Sequence, residues 1–128
     1  MINEIPEDII KKYNIKLLIL FGSTETIYER EDSDLDLAFL TDHILKEENE
    51  FDLLSELIFF YKRDDIDLIN LYKAEPGLKF AVSRKGRVIY QKNNAFTNFQ
   101  LYAARMYADT KYLREEREKI LKERVAKL

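Results

Sequence analysis

Two aspartates one residue apart, Asp34 and Asp36, head an apolar run, Leu37-Ala38-Phe39-Leu40. In a strand, alternate side chains share a face, so the two carboxylates project the same way, about 7 Å apart along the backbone. Carboxylates side by side repel unless a cation lies between them. A hard divalent ion with oxygen ligands, Mg²⁺ above all, suits that role. Ten residues upstream, across Thr24 to Ser33, stands Gly22-Ser23, where an earlier apolar run, Leu17-Leu18-Ile19-Leu20-Phe21, stops. Glycine lets the backbone turn sharply and approach a ligand closely. Ser23 adds a hydroxyl and a backbone N–H at a helix start, a natural cradle for phosphate. A phosphate cradle beside a carboxylate pair suggests a metal–nucleotide site. Another acid, Asp67, sits within the apolar stretch Ile66-Asp67-Leu68-Ile69. A carboxylate there is costly to bury unless paired or coordinated, so it either turns to solvent at a strand end or joins the other two. Asp65, two residues earlier on the same face, is the alternative.

The elements that must hold these residues are legible from breakers and periodicity. Ile15 to Phe21 is apolar almost throughout, which predicts a central strand covered on both faces. Asp34 to Leu40 and Asp65 to Leu71 are the second and third strands, and Arg87 to Tyr90 is a short one at the sheet edge. Pro6-Glu7-Asp8 opens a short helix that Asn14 ends. Lys46 to Tyr61 reads as a helix, with Phe51, Leu54, Leu57, Ile58 and Tyr61 on its apolar face. Pro76-Gly77 opens a helix over Leu78 to Arg84, which Gly86 closes. Asn93-Asn94 caps a long C-terminal helix over about 94–127, with Phe96, Phe99, Ala103, Met106, Thr110 and Leu113 facing inward. With a helix after Gly22-Ser23, the order is α-β-α-β-α-β-α-β-α. The fold class is α/β (α+β), one mixed sheet flanked by helices, with the acids gathered at one end of adjacent strands.

The 128 residues suit a single domain spanning 1–128. A net charge of −3 argues against a surface built for direct contact with bare nucleic acid. There is no cysteine, hence no disulfide framework and no thiolate nucleophile. No stretch approaches the roughly 20 apolar residues of a membrane span, and no basic-then-apolar signal follows Met1, so a cytoplasmic protein is expected. From Glu25 to Asp36, six acids face Arg30 alone, and a triphosphate is repelled there unless metal ions intervene. His43, the only histidine, is assigned no role. Beyond Lys111 the last helix is mostly charged, with Glu115 and Lys119, Glu118 and Lys122, and Glu123 and Lys127 at the supportive four-residue spacing. It keeps Leu113, Ile120, Leu121, Val125 and Leu128 as its larger apolar residues. That end is either a solvated projection or a docking surface for a partner or a second copy.

Gly22-Ser23, ten residues, then Asp34-x-Asp36 matches the GSx10DxD signature. On these residues and their strand-like flanks the chain resembles the DNA polymerase beta-like nucleotidyltransferase superfamily over about residues 15–90. Its short length is similar to the minimal nucleotidyltransferases that act as antitoxins to HEPN-domain toxins. The resemblance implies the nucleotidyltransferase fold. It implies Asp34, Asp36 and Asp67 as catalytic metal ligands, Gly22 and Ser23 as nucleotide-binding residues, two Mg²⁺ ions, and ATP as substrate. The implied reaction transfers AMP to a tyrosine of a HEPN ribonuclease toxin and releases pyrophosphate. One departure stands out: relatives carry an arginine soon after the Gly-Ser pair, and this chain has Thr24-Glu25-Thr26-Ile27. That bears on triphosphate affinity and leaves the metal pair untouched. The alternative is a catalytically weak binding module that neutralises the toxin by complex formation. The missing arginine favours it, and three clustered carboxylates, expensive to keep without metal, count against it. An antibiotic-modifying enzyme needs a further helical domain for its acceptor, for which this chain lacks the length.

Overall fold

The computed structural model describes residues 3–22 and 35–127. Ser23, Asp34 and the helix expected after Gly22-Ser23 lie outside the described residues. The four described strands are β1 (Ile15–Phe21), β2 (Leu35–Thr41), β3 (Ile66–Asn70) and β4 (Arg87–Gln91), joined in the order β3-β2-β1-β4. β1 runs antiparallel to both β2 and β4, and β2 runs parallel to β3, so the sheet is mixed. With a strand on either side and helices over both faces, β1 can be apolar at nearly every position, and Leu17, Leu18 and Ile19 are fully buried.

Helix α1 (Glu7–Tyr13) and helix α2 (Glu47–Tyr61) cover one face of the sheet, while α3 (Pro76–Lys85) and α4 (Ala95–Asp109) cover the other. α1 starts at the extended Pro6, has Glu7 and Asp8 in its first turn, and ends at Asn14 in the left-handed region (φ 54°). α2 is the crossover that a parallel β2–β3 pair requires. The register between β1 and β2 shifts between Ile15 and Leu17. Ile15 therefore packs with Leu18 and Leu20 under α1 and α2, while Leu17 and Ile19 face α3 and α4. Tyr13, buried at the end of α1, donates a hydrogen bond to Glu56 of α2; burial first, and then this hydrogen bond, push its hydroxyl pKa up.

The described chain is an α+β arrangement of four strands and five helices, in agreement with the expected class. Three details differ from expectation. On α2 the fully buried side chains are Leu53 and Leu57, with Leu54, Ile58 and Tyr61 half-buried, and Phe51 is 68% exposed. The helix expected over about 94–127 is two helices, α4 and α5 (Lys111–Ala126), parted at Thr110. The Thr110 hydroxyl donates to the carbonyls of Met106 (3.2 Å) and Tyr107 (3.1 Å), competing with the backbone ladder at φ −94°, ψ 0°. Phe99 and Ala103 are buried as expected, whereas Leu113, beyond the break, is exposed and α5 buries no residue. Finally, Gly86 follows α3 in extended and not left-handed conformation (φ −74°). A Cβ there would meet a methyl of Ile19 and lie 2.6 Å from the Val82 carbonyl oxygen, so close packing of α3 on β1 is what requires glycine.

Candidate functional site

The residues with chemistry converge where β1 ends and β2 and β3 begin. Phe21 closes β1, and Asp36, the second residue of β2, lies opposite it in the antiparallel register. Asp67, the second residue of β3, is the direct register partner of Asp36 across the parallel pair. Leu35, Leu37 and Phe39 pack under α1 and α2, so Asp36 alternates onto the α3/α4 side, which Ala38 and Leu40 share. Ile66 and Leu68 pack under α2, which places Asp67 on that same side with Ile69. The two carboxylates are thus neighbours on one face, on backbones about 4.8 Å apart. Asp36 is half-buried and Asp67 exposed, so the pair sits at the rim of the sheet, open to an incoming ligand.

Gly22 adjoins them with φ 101°, in a region that L side chains rarely adopt. A Cβ on Gly22 would collide with Oδ2 of Asp36 and lie 3.1 Å from its Cγ. Glycine is therefore required twice over, for its backbone conformation and to admit the Asp36 carboxylate. The sequence places a turn here, but the contact between Gly22 and Asp36 depends on the β1–β2 register, which spacing alone does not give.

Asp65, the alternative third acid, has a different role. Nε of Arg63 donates to its Oδ1 (2.8 Å) and Nη2 to its Oδ2 (2.5 Å), a bidentate pair. Those hydrogen bonds hold its carboxyl below the usual carboxylate range. Its carbonyl accepts from the Leu35 N–H at 2.9 Å, tying the start of β2 to β3. Asp65 thus braces the turn from α2, which leaves through Lys62 at φ 57°, into β3. With a lowered native pKa, its contribution to stability is present above the ordinary carboxylate pKa and is lost as pH falls through the lowered value. The Arg-x-Asp spacing is the sequence signal that identifies this pairing.

Of the expected site residues, the structure brings together Gly22, Asp36 and Asp67, and Ser23 and Asp34 lie outside the described residues. Among the described residues no group of three or more His, Cys, Asp or Glu gathers. The donor chemistry of two adjacent carboxylates, hard oxygens with net negative charge, fits Mg²⁺ or Mn²⁺ rather than a soft metal. No helix among the described residues is long and apolar enough to cross a membrane.

A carboxylate pair on neighbouring strand starts beside a left-handed glycine, on a mixed sheet flanked by helices, is the arrangement implied for a nucleotidyltransferase. The chain belongs to the polymerase beta nucleotidyltransferase family, whose model matches residues 3–95. Among solved structures, one described as a toxin–antitoxin with AMP-PNP superposes with a TM-score of 0.74 at 23% identity, covering 92% of this chain and 94% of that one. The MNT antitoxin complex with tri-AMPylated Shewanella oneidensis HEPN toxin gives a TM-score of 0.68 at 23% identity, covering 92% and 91%. A mutant of the MntA toxin–antitoxin pair, with two aspartates spaced two positions apart changed to glutamate, gives 0.73 at 22% identity, covering 92% and 93%. At these identities the likeness concerns the fold. Comparison with functionally curated proteins gives no match.

Proposed function

We propose that this chain is a Mg²⁺-dependent nucleotidyltransferase that moves AMP from ATP to a tyrosine hydroxyl of a HEPN-type toxin and so acts as its antitoxin. The observation that carries the reading is the Asp36–Asp67 register pair beside Gly22, in a chain of the polymerase beta nucleotidyltransferase family. Support for donor and acceptor comes from relatives of the same fold, one described with AMP-PNP and one with a tri-AMPylated toxin.

In this reading Asp36 and Asp67, joined by Asp34, would hold Mg²⁺, which when bound would neutralise triphosphate charge and lower the pKa of the attacking hydroxyl. Gly22, whose missing side chain makes room for the Asp36 carboxylate, offers its backbone to the nucleotide phosphates, and Ser23 supplies donors to them. The tyrosine oxygen attacks the α-phosphorus, the bond from that phosphorus to the bridging oxygen breaks, and pyrophosphate leaves. Asp67, exposed at the rim, accepts the hydroxyl proton. No covalent intermediate on the chain is required, in keeping with a sequence without cysteine. The acidic stretch after Gly22-Ser23, without the usual arginine, makes triphosphate binding depend more heavily on the metal.

The direct test is intact-mass analysis of a HEPN-type partner incubated with this chain, ATP and Mg²⁺. The expected result is a mass increase of one or more AMP units that does not form when EDTA is present from the start of the incubation. An unchanged mass together with full neutralisation of the toxin would favour the binding-module alternative, for which the missing arginine is the specific observation. Metal ligation is separable from the transfer. Asp67→Asn is expected to weaken Mn²⁺ binding at least about tenfold, since a charge-assisted contact contributes roughly 1.5–3 kcal/mol. Asp65→Asn, altering a residue engaged by Arg63, is expected to leave Mn²⁺ affinity within about twofold while lowering stability above the ordinary carboxylate pKa. Equal Mn²⁺ affinities for Asp67→Asn and wild type would remove Asp67 from the ligand set.

A further inference from the structure

A cleft of about 590 Å³ opens at the opposite end of the sheet from Asp36 and Asp67. It lies beyond Leu40 of β2, on the order of 13 Å of strand away from Asp36, and is bounded by the start of α4. Its volume falls within the range of small-molecule sites. In a chain of net charge −3, the charged side chains lining it are Lys16, Lys79, Lys92 and Asp42. Lys92 and Asp42 pair with each other at 3.5 Å, which leaves the charge of two lysines in excess.

Lys79 is the decisive residue. It is only 5% exposed, among the most buried polar residues described. Its ammonium meets the Tyr102 hydroxyl at 3.4 Å and the Met106 sulfur at 3.8 Å, with the Tyr102 ring centroid at 5.1 Å. No carboxylate partners it among the described residues. Burying an ammonium is expensive unless negative charge compensates it, and a hydroxyl and a thioether are neutral, distant substitutes. Lys16, which also lines the cleft, has its ammonium 5.6 Å from the centroid of the Tyr72 ring, again without a carboxylate partner among the described residues. The cleft is also lined by the apolar side chains of Leu71 and Phe99, which are both buried.

We propose that this cleft binds a small organic anion, with a phosphate or carboxylate between Lys79 and Lys16 and a flat apolar body against Phe99 and the tyrosine rings. The site is separate from the carboxylate pair and independent of the transferase reading. The test is amide chemical-shift mapping by NMR on the full ¹⁵N-labelled chain, with phenyl phosphate, benzoate and inorganic phosphate as probes. Saturable shifts at Lys79 and over residues 93–99 are expected with phenyl phosphate or benzoate, and the tighter of the two identifies the head group. Inorganic phosphate should bind more weakly, since it has no apolar body. Lys79→Met, which keeps the length of the side chain, should weaken binding about tenfold or more, while Asp36→Ala should leave it unchanged. Should Lys79→Met fail to fold, Lys16→Met carries the same expectation. The proposal is overturned if neither organic probe shifts the cleft, if the folded lysine variant binds as tightly as wild type, or if inorganic phosphate binds as well as phenyl phosphate.

Discussion

Asp36→Asn should slow the proposed AMP transfer by about a thousandfold or more while leaving the fold and the proposed physical complex intact. The size of the effect follows from the role proposed for the residue. A metal ligand acts on charge that develops at the reacting phosphate, and losing several kcal/mol of transition-state stabilisation costs about three powers of ten in rate. The preservation of the fold follows from position. Asp36 is half-buried at the start of β2, and its carboxylate occupies the space left open by Gly22. An amide of the same shape fits that space, and Leu35 and Leu37 on either side remain buried. Rate would be read by single-turnover mass analysis of the partner, and binding by co-purification. Transfer at the wild-type rate would remove Asp36 from the site. Loss of transfer together with loss of the complex would mean that the side chain serves the interface rather than the chemistry. Gly22→Ala makes a useful companion, because it retains both carboxylates but drives a methyl into Asp36 at a backbone angle alanine rarely adopts.

The parts of this site that depend on local pattern were legible in the sequence. β1 spans the residues its apolar run predicts, and β2 and β3 fall within one residue of expectation at each end. Once α2 is read as a crossover, β2 and β3 must run parallel, and Asp36 and Asp67, each near a strand start, come to the same end of the sheet. The features that escaped are those set by distant contacts. Phe51 and Leu53 both fit an apolar stripe at helical spacing, and which one is buried depends on the rotation of α2 against the sheet. The glycine at position 86 looks like a helix stop, yet it is needed because Ile19, far away in sequence, packs against it. The periodicity of the last helix runs through Thr110 without a proline or glycine, so the break there, made by a hydroxyl returning to the preceding turn, leaves no compositional trace. The Lys79 position is the clearest case. It shares a helical face with the buried Val82 and Ser83, and a lysine at such spacing is ordinarily read as solvated.

Removing residues 115–128 should leave thermal stability nearly unchanged and abolish stable association with the partner proposed above. α5 buries none of its residues, so its deletion takes almost no apolar area from the core. The cut belongs after Arg114 for a specific reason. Nη2 of Arg114 donates to the Tyr107 carbonyl at 2.9 Å, and its guanidinium stacks 3.6 Å from the Tyr107 ring centroid, closing the end of α4. A shorter truncation product would expose that helix end and confound the measurement. What the deletion does remove is an apolar stripe of Ile120, Leu121 and Val125, each about half exposed or more, among many charged side chains. Three such residues buried against a partner contribute roughly 1.5–3 kcal/mol apiece when fully covered, so their joint loss should weaken the complex by more than about a hundredfold. Calorimetry of the free chain and titration of the partner separate the two effects. If the truncated chain melts well below wild type, α5 is part of the fold in solution. If it melts normally and still binds the partner at full strength, the stripe is a solvated helix face and the partner docks elsewhere.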